Sequence, residues 1–226
     1  MSLRPFNPVR LRMVVFDFDG VLVESADMKT QAFETLFRDY PDHLDQIRQY
    51  HLDNEGISRY QKFQWIYDEC LGIPLAKEDA ERLGQRFSEL VVAGILSAPM
   101  VAGAKELLDF LASLGIPMAV ASGTPQDELE WIIAERGLSD YFAEVHGSPK
   151  SKDQSIRELI ECWDIKADEV LTIGDAASDY RAAQVAGTQF FARERQGSAT
   201  PWRGTNALFG NDLYDALDVL KDIKFD

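Results

Sequence analysis

Residues 11–20 read LRMVVFDFDG, a short apolar run that closes on two acids two positions apart. The segment Leu11 to Phe18, apolar at consecutive positions from Met13 to Phe16, predicts a strand buried on both faces. Comparable runs return much later, at Met118 to Ala121 (MAVA) and Val170 to Ile173 (VLTI). Fourth and fifth candidates lie at Ala143 to His146 and Thr188 to Ala192. Helical patterns fill the spaces between. Val101, Leu107, Leu108, Leu111 and Leu114 share a face until Gly115 and Pro117 end it. Leu129, Ile132 and Ile133 mark a helix stopped by Gly137, and Ile156, Leu159, Ile160 and Trp163 mark another. A polar surface loop, Gln196 to Gly204, precedes a last helix from Leu213 to Ile223. Strands alternating with helices in this way predict an α/β core, a parallel sheet with helices on both faces.

One long stretch breaks the alternation. From about Glu24 to Pro99 the only periodicity is helical: Ala32, Phe33, Leu36 and Phe37 on one face, then Tyr60, Phe63, Tyr67 and Leu71, then Leu83, Phe87, Leu90 and Val91. The chain thus divides into a core of residues 9–23 and 100–226 and a helical insert, 24–99.

A net charge of −15 on 226 residues argues against nucleic acid and anionic membrane surfaces, both of which require a basic patch. A small anionic ligand is still accessible if a divalent cation and a few donors neutralise it locally. Cys70 and Cys162 stand far apart among apolar residues and read as reduced core or boundary positions, which suits a cytoplasmic protein. No stretch reaches the length of a membrane span.

Ligands of an open parallel sheet bind at the carboxyl ends of its strands. Those ends carry Asp17 and Asp19; Ser122-Gly123-Thr124; Lys150 and Lys152; and Asp175 with Asp179. Alternation along a strand places the Asp17 and Asp19 carboxylates on one face, a costly pairing unless a cation or a shared proton relieves it. Such a pair can divide its labour between nucleophile or metal ligand and general acid, and the same residues also suit an acidic turn. Ser122 with the Gly123 N–H suits phosphate oxygens at a helix start, or a simple helix cap. A lysine at 150 or 152 can neutralise phosphate and carboxylate together. Asp175 and Asp179, four apart where a helix begins, offer the oxygen ligands that Mg²⁺ prefers.

In this order the four stretches resemble the motifs of the haloacid dehalogenase superfamily. Residues 14–22 (VVFDFDGVL) are similar to its first motif and Ala121-Ser122-Gly123-Thr124 to its second. A lysine within 150–152 fills the third, and residues 174–179 (GDAASD) the fourth. The insert lies where the phosphoglycolate phosphatase and beta-phosphoglucomutase-like subfamily carries a helical cap.

The resemblance implies a Rossmann-like three-layer core and a Mg²⁺-dependent phosphatase acting on a small phosphorylated metabolite. Asp17 would form an aspartyl-phosphate, and Asp19 would serve as general acid and then base. Ser122, Gly123 and a lysine, Lys152 in preference to Lys150, would hold phosphate. Asp17, the Asp19 carbonyl, Asp175 and Asp179 would surround the metal. A phosphomutase is the alternative, although Lys29 stands where such mutases usually carry a histidine. A non-catalytic phospho-acceptor or binding protein is a more distant one.

Within the insert, Arg59 is the residue expected to reach the substrate, with Lys62 as its comparison. His43, His51 and His146 read as surface or packing residues, and Trp65 and Trp131 as core or boundary.

Overall fold

The computed structural model describes residues 11–195 and 200–221. Among them, six strands form one parallel sheet in the order β3-β2-β1-β4-β5-β6. They are β1 (Met13–Phe16), β2 (Met118–Pro125), β3 (Glu144–Ser148), β4 (Val170–Gly174), β5 (Gln189–Arg193) and β6 (Leu208–Gly210). The first five fall where the apolar runs predict them; β6 is too short to show a period.

β1 lies at the centre and explains the unbroken apolar run, because both of its faces are covered. Val14 and Phe16 join the core built by α5 (Ala104–Ser113), α6 (Gln126–Glu135) and α9 (Leu213–Lys221). Met13 and Val15 pack on the other side with residues of α7 (Lys152–Cys162) and α8 (Ala177–Ala186). This is the expected three-layer arrangement. Residues 9 and 10, residues 222–226 and the part of the polar loop at 196–199 lie outside the described residues.

Between β1 and α5 the chain forms α1 (Ala26–Leu36), α2 (Leu44–Asp53), α3 (Arg59–Trp65), a π-helical turn (Ile66–Leu71) and α4 (Lys77–Ser97). The unit is centred on Phe33, Phe37, Phe63 and Phe87, with Phe33 and Phe87 ring centroids 4.9 Å apart and Phe33 and Phe63 5.7 Å apart. α2 has no visible apolar face because only Ile47 and His51 of it are buried. The expected face of Tyr60, Phe63, Tyr67 and Leu71 is also redrawn. The π turn shifts the register, Ile66 takes the buried place beside Phe63, and Tyr60 is exposed.

The two chain segments linking this unit to the sheet pair with each other. Val23 bridges Met100, Glu24 N donates to Pro99 O at 3.0 Å, and Val101 N donates to Leu22 O at 3.0 Å. Arg136, following α6, donates to the carbonyls of Ile95, Leu96 and Ala98, satisfying acceptors that the end of α4 leaves open.

Three expectations from composition are corrected. Trp131 is 46% exposed and Cys162 is exposed, since both sit on the outer sides of their helices. Trp202, within the stretch read as a polar surface loop, is fully buried against Tyr180 and Phe190. Its polar neighbours hide it, and only β5 and α8 supply the pocket it fills. Trp65 is half-buried and stacked on Tyr50 at 3.6 Å.

Truncating the aromatic centre of the helical unit should be costly. Phe63→Ala is expected to lower stability by about 3–5 kcal/mol, whereas Leu90→Ala, at an exposed position, should stay within about 0.5 kcal/mol. Urea denaturation of the two variants checks this.

Candidate active site

The sheet order reverses direction at β1, which has β2 on one side and β4 on the other, and the strand-end residues gather beyond that point. Asp17 follows β1 directly and continues its alternation onto the side of Met13 and Val15, towards α7 and α8. There its Oδ2 lies 2.9 Å from Lys152 Nζ, in the first turn of α7, while its Oδ1 accepts from Phe18 N at 2.7 Å. Lys152 also bonds Asp179, in the first turn of α8, whose other oxygen accepts from Ala176 N at 3.0 Å. Asp175, beyond β4, pairs with Arg195, which also pairs with Glu55 of the helical unit at 2.7 Å.

Asp19 does not continue the strand. β1 ends at Phe16 and the chain turns at Gly20, whose φ is +80°. A β-carbon at Gly20 would fall 2.2 Å from an Asp175 oxygen, so both the turn and the close approach require glycine. The turn gives Asp19 its own partners. Its carboxylate accepts from Ser25 Oγ at 2.6 Å and Thr124 Oγ1 at 3.2 Å, and forms an ion pair with Lys29.

The electrostatics separate the two acids. Burial pushes the Asp17 carboxyl up to about 8, with Asp179 and Asp175 adding to the effect and Lys152 opposing it. Burial likewise pushes Asp175 up to about 7, with Arg195 opposing and Asp179 and Glu55 adding. Burial acts on Asp19 in the same sense, but Lys29, Ser25 and Thr124 outweigh it and hold that carboxyl below its ordinary range. Lys152 is held above its ordinary value despite burial, by Asp17 and Asp179.

Asp17, Asp175 and Asp179 are all buried and offer oxygens within 4.8 Å of one another. Three carboxylates this close cannot all ionise without more positive charge than Lys152 and Arg195 bring, so they must bind protons or a cation. The all-oxygen, carboxylate donor set fits a hard divalent ion. The Asp19 carboxylate is not in this cluster, which leaves only its main-chain carbonyl for such a role.

Ser122 and Gly123 border the same space, in a setting that differs from the expected helix start. β2 runs on in extended form to Pro125, past an irregularity after Ala121, and α6 begins only at Gln126. Gly123 is needed for contact: a β-carbon there would lie 2.6 Å from Gly56 O and 2.8 Å from Ile57 O. The loop between α2 and α3 therefore rests directly on the second strand end. Ser178 Oγ anchors it further by donating to Glu55 O at 2.5 Å.

Two residues singled out from sequence are placed elsewhere. Lys150 is 37% exposed and pairs with Glu158, away from the acids. Arg59 is buried and borders the cavity, but its guanidinium is engaged. It donates to both oxygens of Glu128 in α6, at 3.2 and 2.5 Å, and to Ser88 at 2.7 Å, over the Phe87 ring. Its charge joins helical unit to core.

The cavity beside Asp17 holds about 50 Å³. Asp19, Ser122, Gly123, Thr124, Asp175 and Arg195 line it from the core, and Lys29, Phe33, His51, Glu55 and Lys62 from the helical unit. Lys62, His51, Glu55 and Arg195 went unnoticed in the sequence as cavity residues. None of them stands in a motif, and α2, which carries His51, shows no apolar period in the sequence because only Ile47 and His51 of it are buried.

The family of haloacid dehalogenase-like hydrolases matches this chain over residues 11–187, a span that holds every strand-end acid described above. The chain is 29% identical over 188 residues to the phosphoglycolate phosphatase of Photobacterium profundum, covering 78% of this chain and 80% of that one. It is 26% identical over 218 residues to the phosphoglycolate phosphatase of Rhodospirillum rubrum, covering 91% and 89%. The crystal structure of a hydrolase from Pseudomonas syringae shares the fold at a TM-score of 0.76, with 19% identity over 94% of this chain and 99% of that one. The chain is thus an enzyme that belongs to the haloacid dehalogenase-like hydrolase family.

Proposed function

We propose that the protein is a Mg²⁺-dependent phosphatase that cleaves a small phosphorylated metabolite through a phosphorylated Asp17. The observation that carries this reading is Asp17 itself. It is a buried carboxylate at the end of the central strand, in contact with Lys152 and grouped with Asp175 and Asp179, at the wall of a small cavity. The phosphoglycolate phosphatases among its relatives support the same class of substrate.

Asp17, Asp175 and the carbonyl of Asp19 would hold Mg²⁺, with Asp179 alongside; the ion screens the charge between carboxylate and phosphate. Asp17 attacks phosphorus, its oxygen–phosphorus bond forming as the ester bond breaks. Lys152 holds Asp17 in place and, with Ser122 and the Gly123 N–H, receives the phosphoryl oxygens. The leaving oxygen takes its proton from Asp19. Asp19 rests ionised beside Lys29, so that proton arrives through the Lys29 ammonium bonded to it. Water then attacks the phosphorylated Asp17 and gives its proton to Asp19, which returns it to Lys29, so that Asp17, Asp19 and Lys29 regain their resting states. The helical unit, residues 24–99, serves as the cap: its Glu55-Gly56-Ile57 loop covers the site and excludes water during the first attack.

Asp17→Asn should retain the fold and lose turnover by several orders of magnitude, roughly 10³-fold or more. Lys152→Ala should lose about 10²-fold or more, while Lys150→Ala should behave like the wild type. Steady-state assays with Mg²⁺ check all three; substantial turnover by Asp17→Asn rules out the covalent route.

Asp19→Ala should depress turnover of an alkyl phosphate by about 10²-fold or more and that of a nitrophenyl phosphate far less, because the latter leaving group needs little protonation. Equal losses on the two esters would contradict the general-acid role.

The metal reading has a pH signature. Asp17 and Asp175 titrate higher in the folded protein than the ordinary 3.8, so between those limits the folded state binds more protons than the unfolded chain. Their contribution is present below the unfolded value and is lost as pH rises through the folded one. A cation that requires both carboxylates ionised should therefore raise Tm more at about pH 8 than at about pH 5. Thermal melts with and without Mg²⁺ measure this. Asp175→Asn should abolish most of the Mg²⁺ shift, and an equal shift in that variant places the cation elsewhere.

A further inference from the structure

We infer that Lys62 is the cap's receptor for a carboxylate on the leaving group, so that the enzyme selects phosphate esters of small hydroxy acids over neutral esters of the same size. This rests on the phosphatase reading and specifies its substrate and the residue that recognises it.

The charge pairing around the cavity leads to Lys62. Of the cations lining it, Lys29 is matched by Asp19, Arg59 by Glu128, and Arg195 by Asp175 and Glu55. Lys152, at the nucleophile, is matched by Asp17 and Asp179. Among the described residues, Lys62 has no carboxylate partner. Its side chain is 3% exposed, and its ammonium has three N–H donors with one acceptor, His51 Nδ1 at 2.9 Å. The Phe33 ring lies 5.3 Å from the nitrogen and gives it a polarisable floor without a hydrogen bond.

A buried ammonium is costly unless something pairs with it. Burial together with Lys29 and Lys152 drives its pKa down to about 7, with Glu55 working the other way. A negatively charged ligand group would remove that penalty, and Lys62 borders the same cavity as the nucleophile.

His51 completes the device. Its ring is buried and kept neutral by that burial and by Lys62, Lys29 and Arg195, so it titrates far below its ordinary value. With Nδ1 accepting from Lys62, the ring proton sits on Nε2 and is donated to Thr30 Oγ1, 3.1 Å away. His51 therefore acts as a positioning residue: it orients the ammonium without matching its charge. A carboxylate in this place would have spent the charge, as Glu128 does for Arg59. The occupant must also be small. A cavity of about 50 Å³ beside Asp17 suits a carboxylate one or two carbons from the ester oxygen, and not a nucleoside or a sugar ring.

The test compares 2-phosphoglycolate with 2-hydroxyethyl phosphate, which exchanges the carboxylate for a neutral group of similar size. The wild type should favour the acid ester by about tenfold or more in kcat/KM. Lys62→Met should cost the acid ester about tenfold more than the neutral one, with the difference in KM, and Lys62→Arg should restore part of it. Losses equal on both esters would make Lys62 a packing residue and overturn the inference. If Lys62→Met fails to fold, the wild-type comparison decides alone, since no preference for the acid ester overturns the inference equally. Hydrolysis of both esters without preference, but still abolished by Asp17→Asn, defeats this inference and spares the phosphatase reading. Turnover that survives Asp17→Asn defeats the covalent phosphatase reading and this inference with it.

Discussion

Three carboxylates, those of Asp17, Asp175 and Asp179, are held within 4.8 Å of one another beneath a layer of protein, and the arrangement around them serves to make that tolerable. Lys152 is inserted between Asp17 and Asp179, and Arg195 is laid across Asp175. Removing one partner from a buried ion pair typically costs about 3–5 kcal/mol, because it leaves the other charge buried and uncompensated. Even so, burial leaves Asp17 and Asp175 titrating near neutrality. The site is thus short of positive charge, which fits the proposed uptake of a cation and then a phosphate.

The same concentration of charge explains the backbone around it. Gly20 turns the chain away from β1 at a point where any side chain would strike Asp175. That turn sends Asp19 to a separate set of donors, Ser25, Thr124 and Lys29. Two acids only two residues apart thus acquire opposite tendencies, one pushed up and one held down, through the neighbours each one meets. Such division is what an enzyme needs when one carboxylate forms a bond and the other moves a proton.

The helical unit contributes polar contacts to an otherwise apolar contact with the core. Arg59 and Ser88 share Glu128 of α6, Arg136 caps the end of α4, and Ser178 holds Glu55. Beneath them, Phe33, Phe63 and Phe87 of the unit belong to the same buried apolar cluster as Val14, Phe16 and Leu107 of the core. Two of its cations, Lys29 and Lys62, line the cavity beside Asp17.

The run at 11–20, the return of similar runs at 118 and 170, and the helical stretch between them determined a parallel sheet, a first strand buried on both faces and a run of helices after it, while the strand order came from the structure. Continuous apolar runs have few other stable settings than a strand covered on both faces. The strand-end acids could also be named from order alone, because a parallel sheet delivers its carboxyl ends to one edge. Tertiary structure decided which charges are spent and which remain available. Lys150 and Lys152 are alike in sequence, yet one reaches Glu158 in solvent and the other is sealed between two aspartates. Arg59 and Lys62 lie a turn apart on α3, and only the packing of α3 against α6 and α2 gives Arg59 a carboxylate and Lys62 a neutral imidazole. Trp202 was hidden for the same reason, since its pocket comes from Tyr180 and Phe190. Local pattern reports whether a residue is buried and on which element, whereas charge pairing depends on what a distant segment places within about 4 Å, a distance no local sequence window contains.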